Sequence, residues 1–179
     1  RRDRALAGDD LWLSGQPGLA ALGLAHLQQR LALPATLAER CLSALLQPLP
    51  RVELGCELNR RGLARAAIDV SDGLLADLGH LAQASCLTAE VLLEQLPALP
   101  AGVDPAPARR CQLAGGDDYE LLFSASPQQR AAILALAAEL ALPLTRCGRF
   151  VAASCPGVAL CDESGQAMTV SERGFDHFG

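Results

Sequence analysis

The stretch "AAIDVSDGLLADLGH", from Ala66 to His80, decides the fold class of this chain. Its first five residues, Ala66 to Val70, have the apolar character of a buried strand. From about Gly73 to Ala84 the leucines recur at helical spacing, which predicts an amphipathic helix. A strand that runs straight into such a helix is typical of a layered fold with helices packed on a sheet.

The segments on either side repeat this alternation of strands and helices. Strands are predicted at 10–15, 66–70 and 88–97. Another strand is predicted within 115–126, after its two initial glycines, and short strands are predicted from residue 144 onward. Helices are predicted at 18–31, 36–47, 51–62, 73–84 and 126–140, and 97–107 is predicted to be a loop because it is rich in proline. The sequence therefore predicts one α+β domain, a layered α/β sandwich in which helices pack on a mixed sheet.

Two of the predicted helices begin with the spacing of a capping box. Thr36 and Glu39 have this spacing in the second helix, and Ser126 and Gln129 have it in the last one. In such a box the first side chain accepts a hydrogen bond from the backbone of the fourth residue, and the fourth side chain reaches back. We therefore expect side-chain caps at both helix starts.

Composition narrows the classes of function. The net charge is −5, with acidic and basic residues scattered along the chain, so no nucleic-acid-binding surface is predicted. An apolar run long enough to cross a membrane is absent from the sequence, which argues against a membrane partner. Seven cysteines occur without a C-x-x-C pair, a pattern that favours reduced, mostly buried thiols and a cytoplasmic location.

Two carboxylates and a serine mark the junction between the strand and the helix. Because side chains alternate along a strand, Asp69 and Ser71 should point away from the core side of Ile68 and Val70. Asp72 lies at the bend, where it can swing beside Asp69, and a divalent cation would relieve their repulsion. The backbone N–H groups at the start of the helix would suit a phosphate. The alternative interpretation is a plain helix cap, which explains Ser71 or Asp72 but not Asp69.

The second constellation is "AGGDDYELLF", Ala114 to Phe123. Two glycines precede an acidic turn and then a strand, on which Glu120 is expected to share a face with Leu122. The glycine pair favours a loop that faces a ligand or is strained. A solvated acidic turn that leads into a strand remains the alternative.

Taken together, these stretches resemble the thiamine-monophosphate kinase family. "IDVSDGLLADL" is followed by "GGDDYELLF", and the closing "GFDHF", Gly174 to Phe178, is similar to the usual end of that family. The opening, from Arg2 to Gly23, resembles the family's inter-domain segment. The resemblance covers essentially all 179 residues and corresponds to the C-terminal half of the enzyme.

The resemblance implies an aminoimidazole-ribonucleotide-synthetase-like fold and an ATP-dependent reaction. Members of the family phosphorylate thiamine monophosphate to thiamine diphosphate with Mg²⁺, and they have no Walker A loop; that motif is also absent from this sequence. A homodimer is implied for the full-length enzyme. The resemblance also assigns roles to six residues of this chain that match the family's motifs. They are Asp69 and Asp72 for metal, Ser71 and Arg2 for ATP, and Glu120 and Phe175 for thiamine monophosphate.

The resemblance also implies that this sequence lacks one domain of the full-length enzyme. The family's N-terminal domain, with its own acidic metal-binding motif, has no counterpart here, so 1–179 is interpreted as the C-terminal ATP- and substrate-binding domain of a longer protein. Two alternatives stay open. One is another ATP-dependent member of the superfamily, such as a cyclo-ligase or selenophosphate synthetase, and the other is a non-catalytic module that binds nucleotide or forms dimers.

Overall fold

One mixed sheet runs through the computed structural model, which describes residues 1–152 and 154–162 and the backbone of 167–168. Within these residues the sheet has seven strands in the order β2-β4-β1-β5-β3-β6-β7. Every pair of neighbours is antiparallel except β3 and β6, which are parallel. The strands are Asp10–Ser14 (β1), Ala66–Val70 (β2), Leu87–Leu92 (β3), Glu120–Ala125 (β4), Leu144–Ala152 (β5), Gly157–Cys161 (β6) and Ala167–Met168 (β7).

Helices cover both faces of this sheet. They are Leu19–Leu27 (α1), Ala35–Leu46 (α2), Val52–Arg60 (α3), Leu74–Ala84 (α4), Pro105–Ala114 (α5) and Arg130–Glu139 (α6). On one face, Leu74, Leu78 and Leu81 of α4 pack in a core that also holds Ile68 and Leu122. These buried leucines recur at the spacing that predicted the helix. The α+β class and the layered arrangement predicted from the sequence are therefore confirmed.

The opposite face is covered by α3 and α6. Trp12 and Phe123 stack there, with ring centroids 6.3 Å apart and planes 9° from parallel. Both rings belong to a cluster that includes Leu54 of α3 and Ile133 of α6. A third, smaller cluster joins α1 and α2. The sheet is thus enclosed between two apolar layers.

Several local expectations are wrong in detail. Helix α2 has Pro34 at its N-cap and α6 has Gln129, and neither helix start has a side-chain cap, so the two capping boxes do not form. Helix α1 ends at Leu27 instead of continuing to residue 31. Strand β3 ends at Leu92, where a 3₁₀ turn follows.

Helix α5 replaces part of the predicted loop. Asp104 precedes it, and its carboxylate accepts a hydrogen bond from the N–H of Ala106 at 3.1 Å. Pro105 occupies the first helical position, where a missing N–H costs nothing because that group has no partner inside the helix. The prolines that suggested a loop are therefore compatible with the first turn of a helix.

Candidate functional site

The acidic turn between β2 and α4 is anchored in the core and exposed at its tip. Ile68 and Val70 are buried, whereas Asp69 between them and Asp72 after them are exposed. The alternation predicted from the sequence is therefore confirmed. Gly73 closes the turn with φ of 128°, a backbone conformation that favours glycine. Both carboxylates are available to a ligand on the outside of the sheet.

Asp77 holds this turn from the inside. It is only 3% exposed, and its Oδ2 accepts hydrogen bonds from the backbone N–H groups of Ser71, Asp72 and Gly73 at 2.9, 2.9 and 3.1 Å. Burial raises the pKa of the Asp77 carboxyl, and these three hydrogen bonds oppose the rise. The N–H groups that the sequence suggested for a phosphate are thus already occupied by a protein carboxylate.

The glycine pair packs directly against the acidic turn. The N–H of Asp117 donates to the carbonyl of Ser71 at 2.9 Å, and the N–H of Tyr119 donates to the carbonyl of Val70 at the same distance. A Cβ on Gly116 would lie 2.4 Å from the carbonyl oxygen of Ser71, so only glycine fits there. The two motifs that stand apart in the sequence therefore form one continuous surface.

That surface is one wall of a large open pocket of about 1030 Å³. Ser71 and Asp72 line it together with Gly116, Asp117 and Tyr119, and helices α1 and α5 supply the opposite side. Arg30 and Arg110 add positive charge to this lining, and Leu24 and Leu31 add apolar surface. A pocket with carboxylate, guanidinium and apolar groups suits a ligand that has a charged end and an apolar ring.

Asp69 does not line this pocket but lies beside Arg2. Its Oδ1 is 3.9 Å from Nη2 of Arg2, and both side chains are more than half exposed. The structure places Arg2 here by bringing the start of the chain alongside β2. The N–H of Ala67 donates to the carbonyl of Arg1 at 2.9 Å, which ties the two segments together.

Glu120 belongs to a second, smaller pocket of about 260 Å³. It is 5% exposed and forms a bidentate ion pair with Arg51. Nε of Arg51 donates to Oε2 of Glu120 at 2.7 Å, and Nη2 donates to Oε1 at 2.6 Å. The hydroxyl of Ser14 donates to the same carboxylate, at 2.5 Å from Oε2. The hydrogen bond to Glu120 raises the pKa of the Arg51 guanidinium. Glu120 is therefore an oriented carboxylate with a fixed counter-charge.

Asp118 lies between these features, and sequence reasoning missed it. Its two carboxylate oxygens accept hydrogen bonds from the N–H groups of Gly18 at 2.6 Å and Ala20 at 3.2 Å, so it caps α1. Burial is the main cause that raises the pKa of Asp118 to about 7, with Glu120 and Asp117 adding repulsion. The sequence gives no signal for this contact because the partners are 100 and 98 positions apart.

The structure thus brings four of the six predicted site residues into two regions. Ser71 and Asp72 lie in the large pocket, and Asp69 and Arg2 lie next to each other at the outer edge of β2. Glu120 lines the smaller pocket, which also includes Asp118. Phe175 lies outside the described residues. Sequence reasoning also missed Arg51 and Asp77, although an aspartate among the leucines of the apolar face of α4 was a signal for the second.

The donor set near Asp72 fits part of a magnesium shell. Mg²⁺ in proteins takes one or two carboxylates and fills its other positions with water and substrate phosphates. Asp69 and Asp72 could supply those carboxylates because both are exposed at the same turn. Within the described ranges, no group of three or more His, Cys, Asp or Glu side chains is arranged to hold a metal ion.

Comparisons of the sequence with known proteins show the family of this chain. The sequence model described as AIR synthase related protein, C-terminal domain, matches residues 7–159. Thiamine-monophosphate kinase of Escherichia coli K12 is 39% identical over 99% of this chain and 54% of its own length. The chain therefore spans about half the length of the curated relatives that it matches.

Solved structures of thiamine-monophosphate kinases are also similar to this chain. The crystal structure of thiamine-monophosphate kinase from Stenotrophomonas maltophilia K279a matches with a TM-score of 0.81 and 45% identity, over 94% of this chain and 54% of that one. AaThiL complexed with AMPPCP and TMP matches with a TM-score of 0.76 and 30% identity, over 99% of this chain and 53% of that one. The similarity thus extends over nearly the whole chain.

Proposed function

This chain belongs to the family of AIR synthase related proteins, whose C-terminal domain it carries, and we propose that it acts as the C-terminal half of an ATP-dependent thiamine-monophosphate kinase. The product would be thiamine diphosphate. The observation that carries the proposal is the large pocket in which Ser71 and Asp72 meet the Gly116–Tyr119 loop. Similarity to thiamine-monophosphate kinases along nearly the whole chain supports the choice of substrate.

The ATP end of the site is proposed at the acidic turn. Ser71 can donate a hydroxyl hydrogen bond to a phosphate oxygen, and Arg2 can offer a guanidinium beside Asp69. AaThiL, a solved structure similar to this chain, is complexed with AMPPCP and TMP, which supports nucleotide binding by this fold. We place the nucleotide phosphates between the large pocket, which Ser71 and Asp72 line, and the Arg2–Asp69 pair beside it.

Mg²⁺ is proposed as the cofactor, held in part by Asp69 and Asp72. When bound, it would neutralise the charge on the transferred phosphoryl group. The residues of the chain would position the phosphates and the turn. The Ser71 hydroxyl would donate to a phosphate oxygen, and the Asp77 hydrogen bonds would keep the turn from shifting. Phosphoryl transfer depends mainly on such positioning and on charge neutralisation.

Glu120 and Phe175 are proposed to bind the thiamine end. A carboxylate and an aromatic face both suit a cationic ring. The Arg51 ion pair fixes the orientation of Glu120, and the smaller pocket beside it also holds Gln16 and Asp118 as polar partners. We assign no general base, because the acceptor oxygen of thiamine monophosphate is already anionic.

Two broader properties complete the proposal. We infer a cytoplasmic location, supported by seven cysteines that are all free thiols in the structure. Among the helices that the structure describes, none has the length and apolar character to cross a membrane. We also propose that the full-length enzyme is a homodimer, as the family resemblance implies.

The proposal is tested with a chimera. This chain is joined to the N-terminal half of the E. coli kinase, the part that it does not match, and ADP release is followed in a coupled assay. We expect ADP release that depends on thiamine monophosphate as acceptor, which would separate the kinase from the other ATP-dependent members of the superfamily. The same chimera with both Asp69→Asn and Asp72→Asn controls for contaminating host kinase. A folded chimera that binds nucleotide but transfers nothing to thiamine monophosphate would favour the non-catalytic module.

A further inference from the structure

Two carboxyl groups line the small pocket, and the protein uses them differently. An ionised carboxylate can accept about four hydrogen bonds. On Glu120, Arg51 donates two of them and the hydroxyl of Ser14 donates a third. A Cβ on Gly15 would overlap Oε1 of Glu120, so the backbone just after β1 also covers this carboxylate. Glu120 therefore has little capacity left for hydrogen bonds from a ligand.

Asp118 keeps more of this capacity. Each of its oxygens accepts one hydrogen bond, from the N–H groups of Gly18 and Ala20. Because both donors belong to the start of α1, they hold the carboxyl group in place while the side chain lines the small pocket. Within the part of the chain that the structure describes, Asp118 has no ion-pair partner, whereas Glu120 is paired with Arg51. Asp118 can therefore take hydrogen bonds from a ligand in this pocket.

Apolar side chains complete the lining of the small pocket. Leu19 comes from α1, Ala44 from α2, and Pro48 and Leu49 from the segment between α2 and α3. The volume of about 260 Å³ lies just below the range for drug-sized ligands, about 300 to 1000 Å³, so it fits a single ring. Aliphatic walls suit the faces of such a ring, and a carboxyl group in the same lining suits the polar groups on its edge.

We propose that Asp118 is a specificity-determining residue that binds the hydrogen-bonding edge of the substrate's aminopyrimidine ring, an inference that rests on the proposed function and deepens it. On that edge an amino group donates next to a ring nitrogen that accepts. A protonated carboxyl group matches the pair, because one oxygen accepts from the amino group and the other donates to the nitrogen. When the proton moves to the ring nitrogen, the carboxylate accepts both hydrogen bonds. One shared proton therefore satisfies both partners in either form.

The environment of Asp118 supports this role. Burial raises the pKa of Asp118 to about 7, with Glu120 and Asp117 adding repulsion, so the carboxyl group can hold a proton near neutral pH. The other titratable or charged groups around it lie on the helices and helix starts beside the pocket; they are Arg40, Cys41, Arg51 and Cys111. Burial raises the pKa of both thiols, for Cys41 to about 11, and arginine stays charged, so none of these four changes charge near neutral pH.

The test uses the 179-residue chain and the two halves of thiamine as separate probes. The methylaminopyrimidine half carries the edge without the cationic ring, and N-methylthiazolium carries the charge without the edge. Binding is read by NMR at the amides of Gly18 and Ala20, the two donors to Asp118. In the wild-type chain we expect the aminopyrimidine to shift both amides in a saturable way at about pH 7. At higher pH, binding must take up one proton, so Kd should rise about tenfold per pH unit up to about pH 9.

Asp118→Asn distinguishes contact with the ligand from a structural role. Asparagine can still accept from the start of α1 and can pair with the same edge through its amide, but it needs no proton to do so. We therefore expect the Kd for the aminopyrimidine to stay constant with pH in this variant. Asp104→Asn is the matched control, since Asp104 also caps a helix with its carboxylate, through the N–H of Ala106, but does not line the small pocket. It should keep the pH dependence of the wild-type chain.

The proposal is overturned if the wild-type amides do not respond to the aminopyrimidine, if its Kd does not change with pH, or if these amides respond to N-methylthiazolium alone. The last result would mean that Asp118 binds the charged ring. If Asp118→Asn does not fold, the wild-type pH dependence and the comparison of the two probes still decide the result.

These outcomes also separate the inference from the proposed function. Neither probe carries a phosphate, and binding to the chain needs no turnover. A chimera that releases no ADP while the aminopyrimidine binds as expected would count against phosphoryl transfer only. An active chimera in which the amides of Gly18 and Ala20 ignore the aminopyrimidine would count against the role of Asp118 only.

Discussion

At the scale of single residues, Glu120 depends on partners that lie far away in the sequence. Replacing it with Gln would leave the guanidinium of Arg51, which is mostly buried, without its charged acceptor. We expect Glu120→Gln to lower the free energy of unfolding by about 2 kcal/mol, the range for hydrogen bonds to charged groups. In the chimera it should also raise the KM for thiamine monophosphate and leave the KM for ATP nearly constant.

Urea denaturation and initial-rate kinetics check both parts. Glu57→Gln is the control, because Glu57 also binds two arginines, in ion pairs that are more exposed than the one between Arg51 and Glu120. It should have a much smaller effect on stability and none on either KM. A Glu120→Gln variant with an altered KM for ATP and an unchanged KM for thiamine monophosphate would move this residue to the nucleotide site.

The raised pKa of Asp118 predicts that the stability of the chain depends on pH. Its pKa is raised from the ordinary value of 3.8 to about 7 in the folded chain, so between these values the folded state binds more protons than the unfolded state. Stability from this group is therefore present at low pH and is lost as pH rises through about 7. Asp118→Asn keeps an oxygen that can accept from Gly18 and Ala20, but it removes the titration.

We expect the wild-type chain to lose stability relative to Asp118→Asn as pH rises from 3.8 to about 7. Urea denaturation of both proteins across this range measures the difference. Because other groups titrate equally in both proteins, they cancel in the comparison. A difference that stays constant with pH would show that Asp118 does not titrate in this range.

The exposure of the carboxylates in the acidic turn could be predicted from the sequence. The hydrogen-bond partners of Glu120 and Asp118 could not. Asp69 stands in an apolar strand, where alternation alone places it outside. Arg51 and Glu120 are 69 positions apart, and Asp118 and Gly18 are 100 apart, so nothing local pairs them. Partners of this kind are set by the way helix starts pack against the strands, since Gly18 and Arg51 are the N-caps of α1 and α3.

At the scale of elements, the contact between the glycine pair and the acidic turn joins two strands at one end of the sheet. Gly116→Ala would place a methyl group 2.4 Å from the backbone oxygen of Ser71, which cannot yield easily. We expect a loss of about 1 to 3 kcal/mol in the free energy of unfolding, as for other overpacked sites. Thermal or urea unfolding measures it.

Gly55→Ala is the matched substitution for comparison. It lies in α3, and a Cβ there would meet nothing within 4 Å. We expect this variant to be more stable than wild type by about 0.4 to 1 kcal/mol, since alanine reduces the freedom of the unfolded chain. Equal stability of the two variants would contradict the close approach of the loop to the turn.

Helix positions could largely be predicted, and helix ends could not. The leucines of α4 predicted its face because burial selects the same period as the helix. Helix α5 was missed because Pro105 and Pro107 are compatible with a first turn as well as with a loop. The first capping box does not form because α2 starts two residues early, with Pro34 at its N-cap. The second does not form because Ser126 precedes a 3₁₀ turn, Pro127–Gln129, and its side chain accepts no capping hydrogen bond there.

At the scale of the whole molecule, we expect the isolated chain to fold but not to turn over. Three apolar clusters on the sheet and between α1 and α2 provide a core of ordinary size. The proposed shell for Mg²⁺ is incomplete, and transfer needs both substrates held in line. Circular dichroism and the ADP-release assay on the chain alone check this. Turnover within about tenfold of the chimera would show that the site is complete in this chain.

The central claim is that the acidic turn holds metal for phosphoryl transfer, and Asp72→Asn in the chimera tests it most directly. Asp72 is exposed and contributes only its backbone to the Asp77 hydrogen bonds, so the free energy of unfolding should change by less than about 0.5 kcal/mol. The measurement is turnover as a function of Mg²⁺ concentration. We predict that turnover falls by about a hundredfold and that the Mg²⁺ requirement rises, since metal is worth several kcal/mol of charge stabilisation. Kinetics at limiting Mg²⁺ that match those of the unmodified chimera would contradict the account.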